Sequence, residues 1–307
     1  MRVRIGKLCP CGHSLCARAL QLLSALVPAA ALLVSCSSNG QDNRTVTAWQ
    51  PVRISSPSFE SHPAFDPRTG DFYFVRSSPD FTGWRLFMSS CKATGWTEPT
   101  PPSFVGDGVE ADPWFTPDGV SLYFISTRST DGIKREDLDI WQVDRTHGGA
   151  WGVPKRLPIP VNSDGNEWFP RLATDGWLYF GSDRAGGEGK TDIWRARDVR
   201  GGWHVENLGP TVNTANDEYE AEISRGGESM IIMTNEGFFE SSRQDTGWAE
   251  RRRLPEPING NRREVGALFL SNGNVLYSRE SNTGLSGEFY VWRRAGANDE
   301  MPRCSID

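Results

Sequence analysis

The chain has 307 residues, 33 Lys+Arg against 39 Asp+Glu for a net charge of −6, and 37% hydrophobic residues that include 12 Trp and 15 Phe. An acidic chain without a basic stripe argues against nucleic acid or anionic lipid head groups as partners. The length suits one large β domain.

Residues 1–35 read as a leader. Arg2, Arg4, Lys7 and Arg18 form a basic region, and Ala19 to Val34 is an apolar run, interrupted by Pro28. That run is short and poorly flanked for a spanning helix. Leu33-Val34-Ser35-Cys36 resembles the bacterial lipobox, which implies that Cys36 is lipidated after cleavage. Ser37 at the next position resembles lipoproteins sorted to the outer membrane. Cys9, Cys11, His13 and Cys16 look like a zinc cluster, but they fall within the leader. Residues 36–47 are mostly polar and are expected to be a flexible tether.

From residue 48 to 296 the sequence is a repeat. An opening Glu appears as Glu60, Glu110, Glu167, Glu218 and Glu264, and a turn Gly follows as Gly70, Gly119, Gly176, Gly227 and Gly273. The turn leads into Phe72-Tyr73-Phe74, Leu122-Tyr123-Phe124, Leu178-Tyr179-Phe180, Met230-Ile231-Ile232 or Val275-Leu276-Tyr277. Asp-Gly between apolar runs is a hairpin signal. A third strand carries Asp-Ile-Trp or its equivalent. A fourth is marked by a small residue and Trp, as at Gly95-Trp96, Ala150-Trp151, Gly202-Trp203 and Gly247-Trp248.

A repeat of about 50 residues with four strands per unit predicts a propeller. The fifth Glu module lacks its Trp pair, and an extra pair, Ala48-Trp49, precedes the first. A linear array would leave exposed strand edges. The sequence therefore predicts an all-β, five-bladed propeller of four-stranded antiparallel blades. Its ring is closed by the N-terminal strand, and residues 297–307 are a tail. Cys91 falls in the first blade and Cys304 in the tail beyond the fifth, and those blades would be neighbours in such a ring. A disulfide clamping the closure is one expectation, and two independent thiols the other.

Glu110-x-x-Pro113-x-Phe115-x-x-Asp118-Gly119 through Leu122-Tyr123-Phe124, with Ser182-Asp183-Arg184 to Trp194, resembles the TolB-like (WD40-like) propeller repeat. The resemblance spans nearly all of Trp49 to Gly296 and is weakest in the fourth module, where Ala221 replaces Pro. It implies an envelope protein that serves as a binding platform. TolB itself has six blades, which makes six the alternative count.

A residue present in every blade is explained by what every blade needs. The five Glu are thus expected to accept hydrogen bonds from backbone amides of adjacent blades. The alternative is a carboxylate ring at a channel mouth holding Ca²⁺. Asp139 with Arg128, and Asp192 with Arg184, are expected as pairs within blades.

Function should break the symmetry. His62, Asp112, Trp114, Trp168, Arg171, Tyr219 and Glu220 are candidates for a binding funnel, because they vary from blade to blade on the innermost strands and mix aromatic area with polar tips. Asp112 and Glu220 are the candidate carboxylate pair of a glycosidase. No Gly-x-Ser-x-Gly elbow, P-loop, dinucleotide fingerprint or sialidase box is present, so no cofactor is expected.

The expectation is a lipid-anchored, non-catalytic platform facing the periplasm, with an envelope protein or peptide as partner. A carbohydrate-binding or carbohydrate-cleaving propeller is the alternative. A glycan site would set two or more exposed aromatics beside paired carboxylates in one funnel.

Overall fold

The computed structural model describes residues 44–129, 132, 135–260, 263–281, 286–298 and 300–304. The expected leader, Cys36 and the first part of the tether lie outside them. The described residues form strands and turns, with no helix.

Each Glu module folds as an antiparallel sheet. The second sheet runs Glu110–Phe115, Ser121–Ser126, Asp139–Asp144 and Lys155–Arg156. The third runs Glu167–Leu172, Leu178–Ser182, Asp192–Val199 and Gly202–Asn207. The fourth is built likewise from Glu218–Ile223, Ser229–Thr234 and Gly237–Gln244, with Gly247–Trp248 and Arg252–Arg253 outermost. The first carries Phe59–Phe65, Phe72–Ser77 and Arg85–Ser89, extended by a bridge from Met88 to Thr100. The innermost strands pack in chain order, and Glu264–Phe269 of the fifth sheet packs against Phe59–Phe65 of the first. The fold is a closed β-propeller.

The closure is made by the N-terminal segment. Val46–Ala48 pairs antiparallel with Gly287–Trp292, the third strand of the fifth sheet, and so supplies that sheet's outer strand. This strand begins inside the segment expected as tether. Trp49, immediately after it, packs on Phe289 of the fifth sheet and on Phe65, Phe72 and Trp96 of the first. A Cys91–Cys304 disulfide ties the first sheet to the C-terminal tail. The tail is also held by Trp49 Nε1 donating to the Pro302 carbonyl at 2.8 Å.

The repeated Glu is fully or almost fully buried in all five sheets. Glu60, Glu167 and Glu218 each accept from a hydroxyl and a backbone N–H four residues upstream, at Ser56, Ser163 and Thr214. Glu110 does the same with the Gly106 amide. The partner is therefore the connector entering the same sheet, which corrects the expectation of an adjacent blade. Turned this way, the five carboxylates form no ring at a channel mouth.

Each of these carboxylates also meets an arginine. Arg76 pairs with Glu60 at 2.8 Å, Arg184 with Glu167 at 2.9 Å and Arg279 with Glu264 at 3.3 Å, while Arg128 pairs with Glu110. In the fourth sheet Arg251 does so at 2.7 Å. The expected pairs Asp139–Arg128 and Asp192–Arg184 are thereby corrected. The arginine ending the second strand lies over the aromatics of its own sheet, as Arg128 does over Phe124 and Trp141, which points it at the Glu. Asp139 pairs with Arg156 instead, and Asp192 accepts the amides of Glu188 and Gly189.

Burial at Glu60 outweighs its hydrogen bonds and pushes the carboxyl up to about 7. The connectors Leu157–Asn162, Leu208–Asn213 and Leu254–Asn259 each end in an asparagine. Asn162, Asn213 and Asn259 accept from the amides of Ile140, Ile193 and Phe238 at 2.7–2.8 Å, fixing each connector to a third strand.

Candidate functional site

The innermost strands are irregular at one place. Pairing with the second strand slips between Ser61 and Ala64, Ala111 and Trp114, Trp168 and Arg171, and Val265 and Leu268. The residue two after the repeated Glu sits inside each slip with a left-handed backbone. His62 has φ 51°, Asp112 55°, Phe169 52° and Gly266 64°. Three of the four precede a proline, which has no N–H to give the ladder. A bulge of this kind re-aims a side chain. Non-glycine residues held left-handed cost about 1–3 kcal/mol each and gather at functional sites. Gly266 has a further constraint, since a Cβ there would lie 2.7 Å from the backbone nitrogen of His62.

These re-aimed side chains meet in the channel. His62 Nε2 lies 3.0 Å from Glu220 Oε1 and 3.3 Å from Asp112 Oδ1, and Nδ1 is 2.8 Å from Ser61 Oγ. All three residues of the triad are buried. The remaining oxygens bind backbone. Asp112 Oδ2 accepts from Phe169 N–H at 2.9 Å and Glu220 Oε2 from Gly266 N–H at 2.8 Å. Each carboxylate thus caps the amide at the corresponding position of the next sheet. Burial lowers the proton affinity of the imidazole, but the facing Asp112 and Glu220 outweigh it and hold His62 above its usual value. Burial raises the facing Asp112 carboxyl as well, so the cluster as a whole holds its protons tightly.

Above this triad is a cavity of about 300 Å³ walled by Phe81, Trp84, Trp168, Tyr219 and Met233. Trp168 and Tyr219 meet edge to face with ring centroids 6.4 Å apart. Phe81 stacks over His62 at 6.2 Å, on a turn locked by Trp84 Nε1 donating to the Phe81 carbonyl at 2.7 Å. Tyr219 reaches the wall because its strand passes close to Gly181, where a Cβ would lie 2.1 Å from the Tyr219 carbonyl oxygen.

The seven funnel candidates therefore divide. His62, Asp112, Trp168, Tyr219 and Glu220 line this cavity, whereas Trp114 and Arg171 line a second one, of about 250 Å³, at the other mouth. The divider is Phe169, whose ring meets His62 at 5.9 Å on one side and carries the Arg171 guanidinium at 3.4 Å on the other. Arg171 Nε bonds Glu222 Oε2 at 2.5 Å. Phe81, Trp84 and Met233 were not among the candidates. They come from the loop between second and third strands or from a second strand, outside the innermost-strand register that singled out the others.

No family model and no curated protein matches the chain. Several solved structures align with most of the chain. The soluble aldose sugar dehydrogenase of Escherichia coli is 12% identical, with 81% of this chain and 99% of that one covered and a TM-score of 0.46. A gluconolactonase from Xanthomonas campestris is 11% identical over 83% and 81%, with a TM-score of 0.48. A TolB-like protein from Agrobacterium tumefaciens is 16% identical over 82% and 99%, with a TM-score of 0.35.

The expectation of a non-catalytic platform for a protein or peptide is corrected. Five of the seven symmetry-breaking residues gather into one walled pocket, a histidine between two carboxylates, rather than spreading over a broad face. That pocket has the arrangement laid down for a glycan site: Trp84, Trp168 and Tyr219, each partly exposed, stand beside Asp112 and Glu220 in one funnel.

Proposed function

We propose that this protein is a hydrolase of a small sugar-derived ring, with a lactone or related cyclic ester as substrate class. The observation that carries this reading is the His62 imidazole, bridged by Asp112 and Glu220 at the floor of an aromatic pocket. Apolar walls with a few convergent polar groups suit the C–H faces of a sugar ring.

Carboxylates that face one nitrogen at 3.0 and 3.3 Å leave less than the ~6.5–9.5 Å that an inverting glycosidase keeps for its water. Ester hydrolysis needs no such gap. One carboxylate suffices to hold the Nε2 proton, so the other can take a proton from water as that water adds to the carbonyl carbon. The protonated imidazole then gives its proton to the departing ring oxygen and regains one from the carboxyl, while the hydroxy acid formed loses its own proton to solvent.

The leader, the lipobox-like Leu33 to Cys36 and the TolB-like repeat support placement in the cell envelope with a lipid at Cys36. Cys36→Ser should then release the protein from the membrane fraction. The activity is tested by following acid release from sugar lactones, beginning with gluconolactone, alongside aryl glycosides. His62→Gln and Glu220→Gln should abolish turnover. An unmodified protein that neither hydrolyses nor is thermally stabilised by any of them would remove the proposal.

A further inference from the structure

The second mouth holds a feature that the hydrolytic site does not use. Arg171 is 1% exposed, and it is the largest of the fully buried side chains. Its position is fixed by three contacts: Nε to Glu222, Nη1 to the Pro170 carbonyl at 3.0 Å, and the Phe169 ring beneath the guanidinium. Nη2 is buried with no hydrogen-bond partner. A buried guanidinium N–H without an acceptor is costly, by about 1–3 kcal/mol or more. Glu222 does not supply the acceptor: its Oε2 accepts from Arg171 Nε and its Oε1 from the Phe269 amide at 3.1 Å, and neither bonds Nη2.

Arg171 forms part of the wall of the cavity of about 250 Å³ at this mouth, together with Trp114, Leu268 and Phe269. Arg225 stands exposed at its rim. With Arg171 matched by Glu222, Arg225 leaves these three charged groups net positive. The wall is otherwise mainly apolar and partly aromatic.

From this we infer that the second mouth is a binding site for a small carboxylate with a flat apolar body, whose oxygens complete the Arg171 guanidinium while its ring lies against Trp114. A guanidinium fork matches a carboxylate better than any neutral acceptor. The site is separated from the His62 pocket by Phe169 and stands whether or not that pocket is hydrolytic.

The test is calorimetric titration of the purified protein with sodium benzoate and with benzamide, its neutral counterpart of the same shape. Benzoate should bind, weaken as salt is raised, and outcompete benzamide by at least about tenfold, the worth of a charge-assisted pair. Arg171→Met should abolish benzoate binding. Because that variant removes a buried ion pair, the exposed Arg225→Glu serves as a second probe and should weaken benzoate severalfold through the rim charge alone. Equal affinity for benzoate and benzamide, no binding of either, or indifference to Arg225→Glu would each overturn the inference.

Discussion

His62 of the first sheet and Glu220 of the fourth, 158 positions apart, meet at 3.0 Å across the propeller channel. The sheets that carry them are not neighbours in the ring. The contact exists because a bulge aims His62 inward and a second carboxylate, Asp112, approaches the same nitrogen. Removing the imidazole would leave two buried carboxylates facing each other without a cation. His62→Asn should therefore cost about 3–5 kcal/mol of stability at neutral pH, the range for breaking a buried ion pair. The cost should shrink in acid as the carboxyls protonate. Urea unfolding of both proteins at several pH values measures it.

The pH dependence has a definite sign. His62 carries a folded-state pKa above its ordinary value, so the native state holds its proton more tightly than the unfolded chain. Its stabilising contribution is complete below the unfolded value of about 6.5 and is lost as pH rises through the folded one. In an NMR titration the His62 ring protons should shift above about pH 6.5, whereas free histidine is already titrating there. A His62 midpoint below that of free histidine would contradict the bridged imidazole.

Two glycines guard the pocket. Gly266→Ala sets a Cβ against His62 backbone 2.7 Å away at a left-handed residue, and Gly181→Ala sets one 2.1 Å from the Tyr219 carbonyl. Each should destabilise by about 1–3 kcal/mol through overpacking. Beyond that cost, both should lower the affinity for a ring-shaped ligand, since each displaces a pocket residue. Thermal melts with and without ligand separate the two effects.

The Cys91–Cys304 bridge joins residues 213 positions apart and so encloses the second to fifth sheets. Reduction, or Cys304→Ser, should lower stability by about 2–5 kcal/mol, as expected for a cross-link closing a long loop. Intact mass with and without reductant should differ by two hydrogens beyond any other thiol chemistry. Equal masses would show two free thiols.

Trp49 touches aromatics of both the first and the fifth sheets, so it reports on ring closure. Trp49→Ala should cost about 3–5 kcal/mol, as a large-to-small change in a packed core does. It should also make the Gly287–Trp292 strand more open to hydrogen exchange, because the pairing partner Val46–Ala48 is anchored beside it. Unchanged exchange in that strand would mean that closure does not depend on the tryptophan.

The repeat itself was legible in the chain. Glu, turn glycine and the apolar second strand recur because every blade needs the same buried carboxylate, the same hairpin and the same core, so the pattern marks architecture wherever it appears. The displaced Ala48-Trp49 pair even announced which end closes the ring. What breaks the repeat was also visible, and five of the seven varied positions do share one pocket.

Their chemistry was not legible. A strict alternation of side chains says nothing of a left-handed bulge at His62, Asp112 and Phe169, and it is the bulge that turns these groups into the channel. Nor could sequence spacing bring His62 and Glu220 together, place Phe169 as a divider between two mouths, or add Phe81 and Trp84 from a loop. Such contacts join residues far apart in the chain, and only closure of the ring sets their distances. Local pattern selects the sheet, while burial in a shared channel decides what its residues can do.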